Sequence, residues 1–285
     1  MSLPHWIIIP VHNRRVTTRA CLQRLREQGI FGKAIVCLVD DACTDGTREM
    51  VKGEFPEVCI VDGDGNLFWG GGILEGMYHA HQQDAEVMVW LNDDCMPLPG
   101  AIDVVVARVL ETRGICGGIC HDPAHPEVLT YSGTRSGSDA MVCPGSGETE
   151  DVELINGNLV AVHRDVVGRI GFPPGRDLPH YGGDSVYSLR ATRAGITCEV
   201  HGDARATNPP NPYFDRFGTS KPAWLLLQEP FRIGSILYFP TYWNFLREAF
   251  GWRAYLRWPA YFIRFAKQLA AALGRQFSKP SSSPS

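Results

Sequence analysis

Two adjacent carboxylates, Asp93 and Asp94, are the first candidates for chemistry in this sequence. Five apolar residues beginning at Val87 lead into Asn92 and these two acids, which is typical of a buried parallel strand that opens onto a polar site. Neighbouring carboxylates repel each other and lose hydration, so a positive group must stand beside them. Mg²⁺ or Mn²⁺ held by few protein oxygens would leave room for phosphate ligands. The alternative is a solvated turn, since Asn and Asp also favour turns.

A second pair of acids predicts a shared cleft. Asp40 and Asp41 follow another apolar run, and His12 with Asn13 follows the first run of the chain. Apolar runs alternate with amphipathic segments, which predicts a parallel sheet with right-handed crossovers. Because the carboxyl ends of parallel strands meet at one edge, these polar residues are expected to line one cleft. The glycine-rich loop of residues 62–72 is expected beside them, where its backbone can approach a ligand closely.

Composition limits the partners and the location of the protein. The 285 residues are 44% hydrophobic and 20% charged, as in ordinary globular proteins. The net charge of −4 is unevenly divided, because residues 226–285 carry +6 and residues 1–225 carry −10. The acidic body has no basic stripe, which excludes nucleic acid as its partner. The nine cysteines are scattered without zinc-site spacing, and no signal peptide or membrane-spanning run is visible, so we expect a cytoplasmic protein.

Four motifs in this order resemble the nucleotide-binding half of inverting family 2 glycosyltransferases. They read I-I-I-P-V-H-N-R, L-V-D-D-A-C-T-D-G-T, G-N-L-F-W-G-G-G and W-L-N-D-D-C, and the likeness continues through residues 156–171 and 181–195. The sequence is similar to the rhamnosyltransferase-like branch in carrying L-N-D-D. The resemblance covers roughly residues 5–215. It implies an α/β protein with the GT-A fold, a Rossmann-like mixed and mainly parallel sheet flanked by helices.

The resemblance also implies roles for individual residues. Asp94 would ligate Mg²⁺ or Mn²⁺ bridging the phosphates of a nucleoside diphosphate sugar, where the ion cancels charge on the leaving diphosphate. Asp93 would reach the ribose or the sugar, and Asn92 replaces the first acid of the usual D-x-D. His201 is a second candidate metal ligand, with a surface or hydrogen-bonded histidine as the alternative. The predicted nucleotide-binding residues are Pro10, His12, Asn13, Asp40, Asp41, Asn66, Trp69, Gly70 and Asp93.

Asp184 is the residue expected to act as general base. It follows Gly182 and Gly183 and opens a helix-like stretch, which predicts a carboxylate fixed at a helix N-terminus. An inverting transfer needs a base that takes the proton of the acceptor hydroxyl. The alternative is that Asp184 only caps the helix. A helix N-terminus is expected to lower the pKa of the carboxylate.

The end of the chain differs in kind from the rest. Residues 226–285 hold fourteen of the 29 aromatic side chains, with arginines between apolar residues at helical spacing. Pro259 is expected to break or kink this pattern. Basic amphipathic helices with aromatic margins lie in membrane interfaces and are attracted by anionic lipid. The alternative is a pair of helices docked on the catalytic domain or on a second subunit of a homo-oligomer.

The sequence predicts three segments: a GT-A glycosyltransferase domain at 1–225, an amphipathic helical extension at 226–277 and a disordered tail at 278–285. The predicted activity is inverting, metal-dependent transfer of a sugar from a UDP- or dTDP-linked donor to a hydroxyl of a glycan or lipid-linked acceptor in surface polysaccharide synthesis. A sugar nucleotidyltransferase and a non-catalytic, membrane-peripheral nucleotide-sugar-binding protein are the alternatives. The expected location is the cytoplasm, with the extension able to bind the inner face of the cell membrane.

Overall fold

A computed structural model of the chain describes residues 5–135, 137–210, 222–233, 235 and 237–277. Internal contacts divide the chain into two units, Met1–Pro209 and Pro210–Ser285. The segment boundary predicted at residue 225 stays a prediction. The predicted disordered tail at residues 278–285 lies outside the described residues.

The first unit contains a ten-stranded mixed sheet and a separate two-stranded ladder. The strands are β1 (His5–Val11), β2 (Ala34–Asp40), β3 (Cys59–Asp62), β4 (Val87–Leu91), β5 (Met96–Pro97), β6 (Ile115–His121), β7 (Leu129–Tyr131), β8 (Gly133–Thr134), β9 (Thr149–Asp151), β10 (Leu154–Ile155), β11 (Leu159–His163) and β12 (Cys198–Thr207). The order across the large sheet is β3-β2-β1-β4-β11-β6-β12-β5, with β7 on β6 and β9 on β12, whereas β8 pairs with β10.

Helices cover the sheet. Those of the first unit are α1 (Arg15–Glu27), α2 (Thr47–Glu54), α3 (Phe68–Gln82), α4 (Ala101–Thr112), α5 (Arg164–Ile170) and α6 (Gly183–Arg193), with a 3₁₀ turn at Ile30–Gly32. Ile7 of β1 belongs to one core with Leu22 of α1, whereas the adjacent Ile8 belongs to a second core with Met77 of α3. Both faces of the strand are therefore buried, which explains its unbroken apolar run. The predicted α/β fold, a mixed sheet flanked by helices, is confirmed.

The strand order creates a crevice at the edge where β1 and β4 end. β2 and β4 lie on opposite sides of β1 and are both parallel to it, so the chain reverses its direction across the sheet there, as at the ligand sites of open α/β sheets. β1 pairs with β4 only through residues Trp6–Ile8, and the two strands part before they end. β11 runs antiparallel to β4, so the start of β11 reaches the same edge.

Helix α3 begins earlier than the sequence predicts. Residues 62–72 were expected to form a loop, but the helix starts at Phe68 and includes Trp69 and Gly70 in its first turn. The cause is distant in sequence: the Asp41 carboxylate accepts hydrogen bonds from the backbone N–H groups of Leu67 and Phe68. These are N–H groups that a helix start leaves without intrahelical partners.

The second unit is helical and rich in aromatic contacts. It contains α7 (Ala223–Leu226), α8 (Phe239–Phe250) and α9 (Ala254–Phe277), with 3₁₀ turns at Glu229–Phe231 and Gly251–Arg253. Trp258 of α9 packs edge-on against Phe239 and Trp243 of α8, with centroid distances of 4.4 and 5.0 Å. Pro259 does not break the helix, because α9 runs through it and the chain turns instead at Gly251–Arg253. The kink expected at Pro259 stays a prediction. Within the described residues, no helix combines the length and apolarity needed to cross a bilayer.

Gly70 provides a test of how α3 is positioned. Its N–H donates to the Pro179 carbonyl at 2.6 Å, and a Cβ there would collide with the carbonyl oxygens of Leu178 and Pro179. We expect Gly70→Ala to lower the free energy of unfolding by about 1–3 kcal/mol, through overpacking. Gly53→Ala in α2 is the control, because a Cβ there meets open space, and it should raise stability by about 0.5–1 kcal/mol. Equal shifts in urea denaturation would contradict the tight fit at Gly70.

Candidate active site

The turn after β1 is tied to the turn after β2 by polar side chains. The His12 Nδ1 lies 2.6 Å from the Asp41 carbonyl oxygen, so it donates there, and Nε2 accepts from the Asn13 side-chain amide at 3.1 Å. Asn13 has a left-handed backbone with φ 52°, and its Oδ1 accepts from the Thr44 N–H at 2.7 Å. Two of the predicted nucleotide-binding residues therefore join the loops at this edge of the sheet.

Both carboxylate oxygens of Asp41 accept hydrogen bonds from backbone N–H groups of the glycine-rich loop. Oδ1 accepts from the N–H groups of Gly65 at 2.7 Å and Leu67 at 3.2 Å, and Oδ2 accepts from Leu67 at 3.0 Å and Phe68 at 3.1 Å. A carboxylate offers about four acceptor positions, and here all are used. Asp41 is 4% exposed, so its predicted contact with a nucleotide would require one of these backbone bonds to open.

Asp40 is likewise held by protein groups. Its carboxylate accepts from the Cys43 N–H at 2.9 Å and from the Arg48 guanidinium at 3.0 Å. Arg48 also pairs with Asp62 at the end of β3. The ends of two neighbouring strands are thus linked through one arginine, and the side chain of Asp40 is buried.

The other predicted residues of this region have packing and backbone roles. Pro10 packs against α3, where a Cβ on Gly72 would lie 2.7 Å from the Pro10 Cβ. Asn66 is exposed, and its backbone N–H donates to the Asp64 carboxylate at 2.8 Å. Gly70 admits the carbonyls of residues 178 and 179 next to α3, as described above.

A guanidinium lies between the two acids that follow β4. Arg14 Nη1 is 3.0 Å from Asp93 Oδ1, and Arg14 Nη2 is 2.7 Å from Asp94 Oδ2. Asp93 also accepts from the Thr18 hydroxyl at 3.0 Å, and Asp94 from the Asn208 amide at 3.3 Å. The positive group that two adjacent carboxylates require is therefore supplied by this chain. Arg14 opens the helical segment after β1 and was given no role by the sequence analysis, although it stands in the H-N-R motif.

The two acids differ in burial. The side chain of Asp93 is 2% exposed and that of Asp94 is 29% exposed. Burial, reinforced by the neighbouring Asp94 charge, raises the pKa of Asp93 to about 6, although Arg14 and Thr18 act in the opposite direction. Asp94 is thus the more accessible carboxylate of the pair.

Asn92 joins three elements through its side-chain amide. Its Oδ1 accepts from the Trp69 indole N–H of α3 at 2.6 Å, and its Nδ2 donates to the Asn158 Oδ1. The Asn158 Oδ1 also accepts from Asn208 at 3.1 Å, and Asn158 donates to Asn156. Asn158 immediately precedes β11 and Asn208 follows β12, so the network crosses the sheet edge. Neither residue was predicted: N-G-N at 156–158 lies within a motif of the resemblance, whereas the place of Asn208 depends on strand pairing.

Trp69 and Asp184 lie on either side of one glycine. A Cβ on Gly157 would collide with the Trp69 indole ring and would lie 3.4 Å from the Asp184 Cβ. The Gly157 N–H donates to Asp184 Oδ2 at 2.9 Å. The indole of Trp69 is in turn bonded to Asn92, which precedes the paired acids. The predicted base and the predicted donor site are therefore connected by direct contacts.

Asp184 lies in the first turn of α6 and is held by neutral donors. Its Oδ1 accepts from the Ser185 N–H at 2.7 Å and from the Ser185 hydroxyl at 3.4 Å, which leaves acceptor capacity for a further hydroxyl. The N-cap residue is Gly182. Burial raises the pKa of Asp184 despite these hydrogen bonds, so the expected lowering by the helix N-terminus is outweighed by desolvation.

His201 is not brought to the paired acids. It pairs with Thr149 of β9, and its Nδ1 accepts from the Asp203 N–H at 3.1 Å. The end of β12, where Thr207 pairs with Met96, is the part of this strand that reaches Asp94. His201 precedes Asn208 by seven residues of mostly extended chain, a separation on the order of 20 Å. β12 continues beyond His201 to Thr207, which places Asn208 beside Asp94.

The donor set at Asp94 fits a cation that shares its ligands with phosphate. Asp94 offers a half-exposed carboxylate with the Asn208 amide 3.3 Å away, and Mg²⁺ commonly takes one or two carboxylates together with water and phosphate oxygens. The described part of the chain contains no group of three histidine, cysteine or acidic side chains suited to enclosing a metal. A cation here would therefore depend on ligand oxygens.

Comparison with known proteins agrees with this fold. Residues 6–132 match the family model described as glycosyl transferase family 2. No curated protein matches the sequence. GalNAc-T7, solved with UDP, GalNAc and Mn²⁺, is 13% identical with a TM-score of 0.65; the match covers 94% of this chain and 54% of that chain. This chain therefore spans about half the length of GalNAc-T7.

Two further solved structures have similar folds. The mannosyltransferase PcManGT from Pyrobaculum calidifontis, in complex with GDP-Man and Mn²⁺, is 17% identical with a TM-score of 0.54, over 97% of this chain and 88% of that chain. S. aureus TarS 1-349, in complex with UDP-GlcNAc, is 14% identical with a TM-score of 0.54, over 96% of this chain and 82% of that chain. At these identities the likeness establishes the fold. Residues 6–132 are thus similar to glycosyl transferase family 2, and the chain shares its fold with these solved glycosyltransferases.

Proposed function

We propose that this protein transfers a sugar, with inversion, from a UDP- or dTDP-linked donor to a hydroxyl of a glycan or lipid-linked acceptor. The observation that carries the proposal is the contact chain from Asp184 through Gly157 and Trp69 to Asn92. It joins a half-buried carboxylate with spare acceptor capacity to a pair of acids balanced by arginine. An inverting transfer requires a base on one side of the sugar and charge stabilisation for the diphosphate on the other.

On the donor side, Asp94 is the proposed metal ligand and Arg14 its competitor. In the chain alone, Arg14 neutralises Asp94 at 2.7 Å. When bound, Mg²⁺ or Mn²⁺ would stabilise the negative charge of the leaving diphosphate. The Arg14 guanidinium, once relieved of Asp94, could hold a phosphate oxygen, a role for which its planar donors suit it. Asp93, buried against Thr18, would keep Arg14 in place.

On the acceptor side, Asp184 takes the proton of the attacking hydroxyl. Burial raises the pKa of Asp184, which makes it a stronger base than an exposed aspartate. The N–H groups of Gly157 and Ser185 fix the orientation of the carboxylate. Both partners are neutral, so they orient the base without neutralising it.

A role in surface polysaccharide synthesis, with peripheral attachment to the inner face of the cell membrane, completes the proposal. The support is the second unit, where Tyr255, Leu256 and Trp252 are 70–72% exposed and the surrounding sequence is basic. Exposed aromatic and aliphatic side chains beside arginines suit a membrane interface.

The first prediction concerns nucleotide and metal. We expect UDP or dTDP to raise the melting temperature only when Mn²⁺ or Mg²⁺ is present, with about 2.7 kcal/mol of stabilisation at a hundredfold excess over Kd. Asp94→Asn should abolish the metal-dependent part. Arg14→Gln should instead tighten Mn²⁺ binding without nucleotide, because the competing cation is removed. The metal site would be contradicted if nucleotide without metal raised the melting temperature and the Asp94→Asn variant showed the same rise.

The second prediction concerns the base. Asp184→Asn should lower transfer by about 10²–10⁴-fold, while metal-dependent nucleotide binding persists. Because burial raises the pKa of Asp184, the acid limb of kcat/KM should lie above the ordinary aspartate range. Ser185→Ala is the matched control, since it removes a neighbour but keeps the base. Undiminished transfer by Asp184→Asn would eliminate Asp184 as base; lost nucleotide binding would indicate a structural role.

The third prediction concerns the effect of Asp93 on the stability of the fold as the pH changes. Since the pKa of Asp93 is about 6 in the folded chain and near 3.8 when exposed, the folded state holds this proton more tightly. Stability is therefore lost as the pH rises from about 4 to 6, by roughly 3 kcal/mol. Asp93→Asn removes this loss, so its stability relative to the wild type should increase from pH 4 to pH 7.5 in urea titrations.

Asp203 provides a control of opposite sign. The Ser146 hydroxyl and the Gly147 N–H lower the pKa of Asp203, so its contribution is present at neutral pH and lost on acidification. Asp203→Asn should therefore be slightly less stable than the wild type at pH 7.5 and equal to it at low pH. The same pH trend in both variants would contradict the assignment to Asp93.

A further inference from the structure

The second unit contains an apolar cavity. It has a volume of about 510 Å³ and is lined by Leu227, Pro230, Phe231, Tyr238, Phe239, Pro240, Tyr261, Phe262 and Phe265. This volume lies within the range of small-molecule sites. All nine lining residues belong to the second unit.

The walls of the cavity are fixed by polar contacts that leave its interior apolar. The Tyr261 hydroxyl donates to the Leu237 carbonyl at 2.6 Å, so its ring faces the site while its polar end is bonded elsewhere. Nearby, the Ser235 hydroxyl donates to the buried Glu229 carboxylate at 2.6 Å. An apolar cavity offers water too few partners, so it favours a hydrocarbon occupant.

The rim leaves large apolar side chains in water. Phe231 is 83% exposed, Leu227 53% and Phe262 49%. Contiguous exposed apolar groups at the mouth of a cavity mark a ligand or membrane site. An occupant that entered the cavity would cover this rim as well.

Basic residues flank the cavity on α9. Arg257 precedes Tyr261 by four residues and Arg264 follows it by three, which places both beside Tyr261 on the helix surface. Lys267 lies three residues after Arg264, on the same side, and all three cations are exposed. An occupant with a negative charge next to its hydrocarbon part would match this arrangement.

We infer that the cavity binds one hydrocarbon chain of a membrane lipid whose head group is a phosphate. The hydrocarbon chain fills the space enclosed by residues 227–231, the start of α8 and α9, and the phosphate lies toward Arg257, Arg264 and Lys267. This site would hold the protein at the membrane surface. The inference does not require that the cleft be catalytic.

The test uses the full-length protein and three soluble probes in calorimetry: decyl phosphate, decanol and inorganic phosphate, each below the concentration at which it aggregates. We expect decyl phosphate to bind with one-to-one stoichiometry, decanol to bind more weakly, and inorganic phosphate not to bind. Phe262→Ala removes a wall of the cavity and should lower the affinity for decyl phosphate by about tenfold or more. Phe231→Ala, at the rim, should also lower the affinity for decyl phosphate.

Ile263→Ala is the matched control, because Ile263 adjoins Phe262 and is 58% exposed but does not line the cavity. It should change the affinity by less than about twofold. Lys267→Gln should lower the affinity for decyl phosphate and leave the affinity for decanol unchanged. In flotation assays with phosphatidylcholine vesicles that contain phosphatidylglycerol, a smaller fraction of the Phe262→Ala variant than of the Ile263→Ala variant should float with the vesicles.

Several outcomes would overturn the inference. They are failure of decyl phosphate to bind, equal effects of Phe262→Ala and Ile263→Ala, and a dimer that Phe262→Ala dissociates, which would identify a second copy as the occupant. Stabilisation by UDP with Mn²⁺, measured on the same samples, reports the cleft separately and shows whether each variant is folded.

Discussion

The side-chain amide of Asn92 is the constraint on which the cleft depends, because it must donate and accept at once. It accepts from the Trp69 indole and donates to Asn158. A carboxylate at this position could accept from Trp69, but it could not donate to Asn158. A parallel strand, an antiparallel strand and a helix therefore meet at one amide. The absence of the first acid of D-x-D is thus explained by the structure of this chain.

A neutral residue at this position also sets the charge of the cleft. Two acids follow β4 instead of three, and a single guanidinium bridges both of them. Asp184 is held instead by neutral donors from Gly157 and Ser185. Carboxylates in such different surroundings are suited to different tasks, since environment decides which acid binds a cation and which accepts a proton. The burial of Asp93 has two effects. It destabilises the fold, and it holds Arg14 in position beside Asp94.

The sequence predicts those parts of the site that follow directly from strand ends. Asp40, Asp41 and Asn92–Asp94 come at the ends of apolar runs. Arg14 was missed although the paired acids demanded a positive group, because the cleft was assumed to obtain it from a metal. His201 was predicted as a candidate ligand, but it lies within β12, whose end carries Asn208 to Asp94. The start of α3 depends on Asp41, 27 residues before Phe68, and no local pattern reveals such a distant cap.

The loop around Gly65 is held by the buried carboxylate of Asp41. Asp41 has both oxygens occupied by backbone N–H groups of residues 65–68, so it acts by fixing the loop and the first turn of α3. That turn carries Trp69, whose indole reaches Asn92, and Gly70, whose N–H bonds to Pro179. Pro179 belongs to the segment that leads into α6 and Asp184. Backbone hydrogen bonds at the start of α3 thus link the buried carboxylate after β2 to the segment that leads into the proposed base.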